Sequence, residues 1–210
     1  MNKSMMLVTV AVVFSVSMSV MLISPALAQE TESVRKLAKA KIDTVIGLLK
    51  NKAMPKEERN KKIIETVNPL LDFQQMARLS LGKKHWIGIG KENQKVFVDH
   101  FVERLQESYL EKLDLYTDEK VVVEEAKQVK TRIYVMTYLV SKDDKNEMIY
   151  KFYKTKSRGW MVYDVEILGV SVVQTYRSQF SGFLNEHSYD QLLERIKTPG
   201  GFTIDTEKKK

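Results

Sequence analysis

Few side chains in this sequence stand where they could do covalent chemistry. Asp164 is the most suggestive, the one acidic residue in the first half of the otherwise apolar run Trp160–Ile167. A carboxylate desolvated in such a strand can serve as a general base, as in cone-shaped α+β folds of the ketosteroid-isomerase type. The same setting suits a structural carboxylate held by an arginine, and Arg177 is the candidate partner. Ser171 lies in Gly169-Val170-Ser171, which is not a G-x-S-x-G nucleophile elbow. Gln174, three residues on, gives that serine the spacing of a capping box instead. There is no cysteine, which removes thiolate catalysis, disulfides and cysteine-ligated metals. His85, His100 and His187 fall at no metal-ligand spacing. Gly-rich phosphate loops, H-E-x-x-H and EF-hand patterns do not occur. The reading expects no metal, no catalytic cofactor and no enzyme.

The chain has 210 residues, 43% hydrophobic and 29% charged, enough for one good core. Its first 28 residues stand apart. Lys3 is the only charge before an apolar run from Met5 to Ile23, which ends at Ser24-Pro25-Ala26-Leu27-Ala28. A weakly basic start, an apolar middle and an A-x-A exit describe a secretory signal peptide cut after Ala28. The alternative is an uncleaved anchor, since about twenty apolar residues can span a bilayer. Removal leaves 29–200 as one domain followed by a flexible basic tail, 201–210. It takes one lysine and no acid, so the net charge falls from +7 to +6. Export argues against nucleic acid as a partner for that charge, and fits anionic head groups or an acidic protein surface better.

The elements that must position any site follow from periodicity and punctuation. A helix from about Thr31 to Lys50 has Val34, Leu37, Ala38, Ile42, Val45, Leu48 and Leu49 as its apolar stripe. A second opens at Met54-Pro55, with Glu57 and Glu58 in the first turn, and runs to Pro69. A short third one has Asp72 as N-cap and Gly82 as stop, and a turn is expected over His85–Gly90. A long helix spans about Asn93–Leu113. Four strands follow, Val121–Glu125, Thr131–Val140, Glu147–Thr155 and Trp160–Ile167, with Ala126–Lys130, Ser141–Asn146 and Lys156–Gly159 as turns. Both sheet faces read as largely apolar, which calls for cover on both sides. A helix capped by Ser171 and another over Tyr189–Lys197, capped by a Ser188/Gln191 box, close the chain. The expected class is α+β: N-terminal helices packed on a curved antiparallel sheet of about four strands, an NTF2-like cone with closing C-terminal helices and an apolar cavity.

Two segments carry a family resemblance. The run Asp72-Phe73…Met76-Ala77…Leu81-Gly82…Trp86 and the run Trp160…Asp164-Val165…Gly169-Val170-Ser171…Tyr176-Arg177…Gln179-Phe180 together resemble the MlaC or toluene-tolerance family. Leu168 departs from that pattern, which has an acidic residue before the glycine. The resemblance implies a monomeric periplasmic carrier of glycerophospholipid that maintains outer-membrane lipid asymmetry. It would shuttle lipid between an outer-membrane lipoprotein complex and an inner-membrane ABC transporter with its substrate-binding subunit. Phospholipid would be cargo, with the acyl chains in a cavity between sheet and helices. The expected lining is Phe73, Met76, Phe97, Phe101 and Leu105 from the helices, Val135, Tyr150, Phe152 and Val162 from the sheet, and Val173, Tyr176 and Phe180 from the closing helix. Opposite strand parity would exchange Tyr150 and Phe152 for Ile149 and Tyr153. An exported enzyme with Asp164 as base is the competing reading.

Overall fold

Helix α1 (Pro25–Lys50) opens the computed structural model, which describes residues 25–114, 120–141 and 145–204. The expected cleavage point after Ala28 falls at the end of its first turn, and the apolar run before Ser24 lies outside the described residues. α1 buries Val34, Ala38 and Leu49, one stripe along its length. α2 (Lys56–Val67) carries Glu57 and Glu58 in its first turn, where they complement the helix dipole, and buries Ile63. A 3-10 turn, Asn68–Leu70, leads to α3 (Phe73–Leu81). The Asp72 side chain accepts from the Gln75 backbone N–H at 3.2 Å, so this cap forms as the sequence predicts.

The expected turn at His85–Gly90 is instead a short helix, α4 (Lys83–Gly88). Gly82 and Gly90, at φ 80° and 72°, bracket it rather than bend it. α5 (Gly90–Asp114) is the long helix. The sheet then runs β1 (Lys120–Val129), β2 (Arg132–Val140), β3 (Lys145–Thr155), β4 (Gly159–Ile167) and β5 (Val170–Ser171), with strand order equal to chain order and every pair antiparallel. β1 is longer than predicted: past a bulge at Glu124 and Glu125, Ala126–Val129, expected as a turn, pair in regular register with β2. α6 (Val172–Leu184) and α7 (Tyr189–Lys197) close the fold. Among the described residues no helix is long and apolar enough to cross a membrane.

Register decides which side chains share a face. Val135 pairs with Tyr150, Ile133 with Phe152, and Phe152 with Val162, so these share the inner face, against α1. A second bulge, at Tyr163, shifts β4 by one residue: Lys151 pairs with Asp164 while Phe152 pairs with Val162. Val162 and Val165 therefore both face inward, while Asp164 faces outward beside Lys151. Simple alternation would have put Val162 and Asp164 on one side. The outer face is not the second apolar surface the sequence suggested. Its tyrosines turn their hydroxyls into a polar network: Arg132 donates to the Tyr163 hydroxyl at 2.7 Å, and Tyr138 donates to Glu147 at 3.0 Å. Tyr153 donates to Asp72, which also pairs with Arg158 at 2.9 Å.

The interior divides in two. Between α3, α5, α6 and α7, beside the β4 edge, Phe97, Phe101, Tyr176 and Phe180 interlock, with ring centroids 5.3 to 6.4 Å apart. Phe202 joins them at 5.0 Å from Phe180, so the packed chain extends past the expected tail boundary at 201. Residues 205–210 lie outside the described residues. Under the sheet, Val34 and Ala38 meet Ile133, Val135, Phe152 and Val162. Further along α1, Leu49 and Ile63 meet Tyr109, Leu110 and Leu139.

Candidate functional site

Asp164, the one candidate for a catalytic base, is fully engaged. Its Oδ2 accepts from the Ser171 hydroxyl at 2.8 Å and from Lys151 Nζ at 3.1 Å, and its Oδ1 accepts from the Val173 backbone N–H at 3.2 Å. Ser171 in turn accepts from the Gln174 N–H at 3.1 Å. The reciprocal half of a capping box is formed at Ser188/Gln191 but not here, where Asp164 instead accepts from the Ser171 hydroxyl and the Val173 N–H. Lys151 also reaches Glu166 at 2.6 Å. Burial works against its charge, yet the Glu166 and Asp164 carboxylates outweigh burial and hold its pKa above the ordinary lysine value. Arg177 is not the partner of Asp164. It lies on the exposed side of α6 with its Nε beside Gly82, more than a turn beyond the helix start where Asp164 sits. This cluster ties β3, β4 and α6 together through both oxygens of Asp164. Among the described residues no group of His, Asp and Glu could hold a metal ion.

The twelve residues expected to line a cavity fall into both halves of the interior. Phe73, Met76, Phe97, Phe101, Leu105, Val173, Tyr176 and Phe180 belong to the helical cluster. Val135, Tyr150, Phe152 and Val162 belong to the sheet cluster, on one face, so Ile149 and Tyr153 lie opposite. Leu71 and Val165 touch both clusters and mark the seam between them.

Accessibility separates these residues further. Phe97, Phe101, Val135, Phe152, Val162, Tyr176 and Phe180 have no accessible surface. Tyr150 is different: it keeps accessible surface on the inner face, while burial alone pushes its pKa up, and its hydroxyl has no hydrogen-bond partner among the described residues. Tyr150 thus combines accessible surface with a desolvated hydroxyl, on the sheet face turned toward α1. Its inner-face neighbours Val165, Met148, Ile167 and Leu139 are likewise only partly buried, as are Val45 and Ile46 of α1. At the far end of this strip the Tyr109 hydroxyl is buried without a partner, and desolvation pushes its pKa up to about 12. A buried hydroxyl left unpaired costs about 1–3 kcal/mol. Sequence reasoning placed Tyr109 on the α5 stripe but not at this site. The signal available was its position two turns beyond Phe101, opposite the end of β2.

The strip thus offers apolar walls from α1, α5 and the inner sheet face, with the unpartnered hydroxyls of Tyr150 and Tyr109 along it. It suits a large, flexible, apolar ligand carrying a few hydrogen-bond acceptors. Two surface clefts, of about 530 and 500 Å³, open elsewhere, among α6, α7 and Pro199–Thr203, with Phe183, His187 and Arg195 in their walls. They do not reach the sheet.

Comparison with known proteins agrees with this architecture. The fold is similar to that of a phospholipid-binding protein from Ralstonia solanacearum solved in complex with a phospholipid. The two share 20% identity, the match covers 77% of this chain and 93% of that one, and the TM-score is 0.68. No curated protein gives a significant match. The sequence model of the MlaC protein family matches residues 39–198, which takes in every helix and strand from within α1 to the end of α7. The chain belongs to the MlaC protein family.

Proposed function

We propose that this protein is a periplasmic phospholipid carrier, and that it binds lipid rather than catalysing a reaction. The observation that carries the reading is the seam under the sheet, where Tyr150 is reachable and desolvated between apolar walls. Family membership and the phospholipid held by the Ralstonia solanacearum relative support the choice of ligand. Acyl chains would enter along Tyr150, Val165 and Leu139. The interlocked aromatic residues of the helical half would stay closed or part at Leu71 and Val165 to admit a second chain.

The energetics explain why such a carrier is needed. Each buried CH₂ is worth ~0.8 kcal/mol, so two sixteen-carbon tails would cost on the order of 20 kcal/mol to expose to water. An apolar seam offsets most of that. No chemical step is required of the carrier, only lipid affinity comparable to that of donor and acceptor, and any ATP hydrolysis would belong to a partner. The signal peptide would deliver the chain to the periplasm. The outer-membrane lipoprotein complex and the inner-membrane ABC transporter would be its two docking points in maintaining lipid asymmetry. Native mass spectrometry of protein purified from cells should show a co-purifying glycerophospholipid. Its consistent absence, with no uptake from liposomes, would sink the proposal.

A further inference from the structure

The corner between α4 and α5 differs from the rest of the surface in both charge and hydropathy. Ile87 is 65% exposed, against 39–40% for Leu37, Val96 and Val129, the other exposed large hydrophobic residues. Lys83 and Lys84 precede it by four and three positions, on the same face of α4. Lys91 and Lys95 stand one turn apart on α5, directly after the corner. All four lysines are exposed, and none forms an ion pair or hydrogen bond among the described residues. Elsewhere helical lysines are mixed: Lys36 pairs with Glu32, Lys39 with Asp43 and Lys62 with Glu58, while Lys41, Lys50 and Lys61 stand singly rather than as a cluster around an exposed apolar side chain. Between Asp72 and Asp99, Glu92 is the only acidic residue against Arg78, Lys83, Lys84, Lys91 and Lys95. The corner is also firmly backed. Trp86 is buried behind Ile87, edge-on to Phe97 at 6.5 Å, and its carbonyl accepts from Gln94 Nε2 at 2.7 Å.

We propose that this corner docks on an anionic membrane surface, with Ile87 entering the head-group layer and Lys83, Lys84, Lys91 and Lys95 meeting lipid phosphates. Protein interfaces are built on aromatic and arginine anchors and are depleted in lysine. Here the aromatic residue is turned inward, and what faces out is an aliphatic tip within a collar of unpaired lysines, the pattern of peripheral membrane contact. The proposal does not depend on lipid occupying the interior. It would hold equally for a chain that carries nothing.

Co-sedimentation tests it, using full chain recovered in soluble form from the expressing cells. Wild type should bind phosphatidylglycerol-containing vesicles, release them at high salt, and ignore pure phosphatidylcholine. Lys83→Glu with Lys84→Glu should lower partitioning at least about tenfold. Ile87→Ser should lower it about fivefold, through lost apolar contact alone. The control pair Lys127→Glu with Lys130→Glu makes the same charge change at the distant β1–β2 turn and should stay within about twofold of wild type. Absence of binding to the phosphatidylglycerol vesicles overturns the proposal. So does an equal loss in the control pair, which would make the effect one of net charge. Undiminished binding by Ile87→Ser, together with equally tight binding of soluble polyglutamate, would instead assign the corner to an acidic protein. Interior lipid is scored separately by native mass spectrometry, so the carrier reading and this one can fail independently.

Discussion

Phe101 and Tyr150 each sit among apolar neighbours between a helix and the rest of the chain, yet their surroundings differ. Phe101 is stacked on Phe97 at 6.1 Å, lies edge-on to Tyr176 at 5.3 Å, and has no accessible surface. Tyr150 is reachable, unpartnered and desolvated. The helical half is sealed by aromatic edge-to-face contact, which rewards one arrangement of the rings. The sheet half is walled by Val, Leu, Ile and Met, whose contacts survive small changes of spacing. One interior is closed by ring-on-ring contact, and the other leaves Tyr150 accessible between aliphatic walls.

The largest effect should come from truncating the sealed half. Phe101→Ala should cost about 3–5 kcal/mol in urea unfolding, because neighbours locked on all sides cannot collapse into the void. Leu139→Ala, on the accessible strip, should cost less than about 2 kcal/mol. Equal losses would erase the distinction between the halves.

Next in size is the latch that joins the sheet to α6. Asp164→Asn keeps the shape but removes the charge that Lys151, Ser171 and the Val173 N–H share, and should cost about 2–3 kcal/mol. Circular dichroism with chemical denaturation measures it. A variant of undiminished stability would mean that the cluster at Asp164 holds nothing together.

A smaller effect is expected at high pH. Desolvation raises the Tyr109 pKa to about 12 from the ordinary value near 10. Folding therefore favours its neutral form. That contribution is complete below pH 10 and is lost as pH rises from 10 to 12. Tyr109→Phe should flatten this alkaline decline and leave stability at neutral pH unchanged or slightly higher, since it removes an unpaired hydroxyl. Tyr153 and Tyr189, also raised to about 12, will sustain part of the decline.

The smallest effect is local. Leu168 and Gly169 form the two-residue turn between β4 and β5, with φ of 51° and 80°. Both values suit an Asn-Gly or Asp-Gly turn of type I′, and leucine tolerates this region poorly. Leu168→Asn should raise stability by about 0.5–1 kcal/mol, visible as a shift in Tm.

What the sequence made legible was what is decided locally. The Asp72, Ser171 and Ser188 caps, the α7 boundaries and the four long strands rest on signals within a few residues. What it hid depends on a partner far along the chain. The bulge at Tyr163 exists only in register with β3, so the outward turn of Asp164 could not be read from β4 alone. Lys151 was missed as its partner because it lies directly across the sheet rather than along the helix. The two glycines flanking α4 read as a turn because a six-residue helix gives too little periodicity to outweigh them. Closed and accessible interiors draw on the same residue types. Only the packing of α1 and α5 against the inner face separates Tyr150 from Phe152.

The Leu71 bridge has a consequence for behaviour at high concentration. Leu71 pairs in parallel with Val162, and the Asp72 N–H donates to the Val162 carbonyl at 2.8 Å, while β5 occupies Glu166 and Ile167. The β4 margin is thereby partly covered by the chain itself, at Val162 and at Glu166 and Ile167. At the other margin β1 is kinked by its bulge and carries Lys120, Glu124, Glu125 and Lys127. A second molecule would find no flat row of free amides on which to extend the sheet. Strand addition by a second molecule is disfavoured at both ends of the ladder, which works against fibre growth by edge pairing.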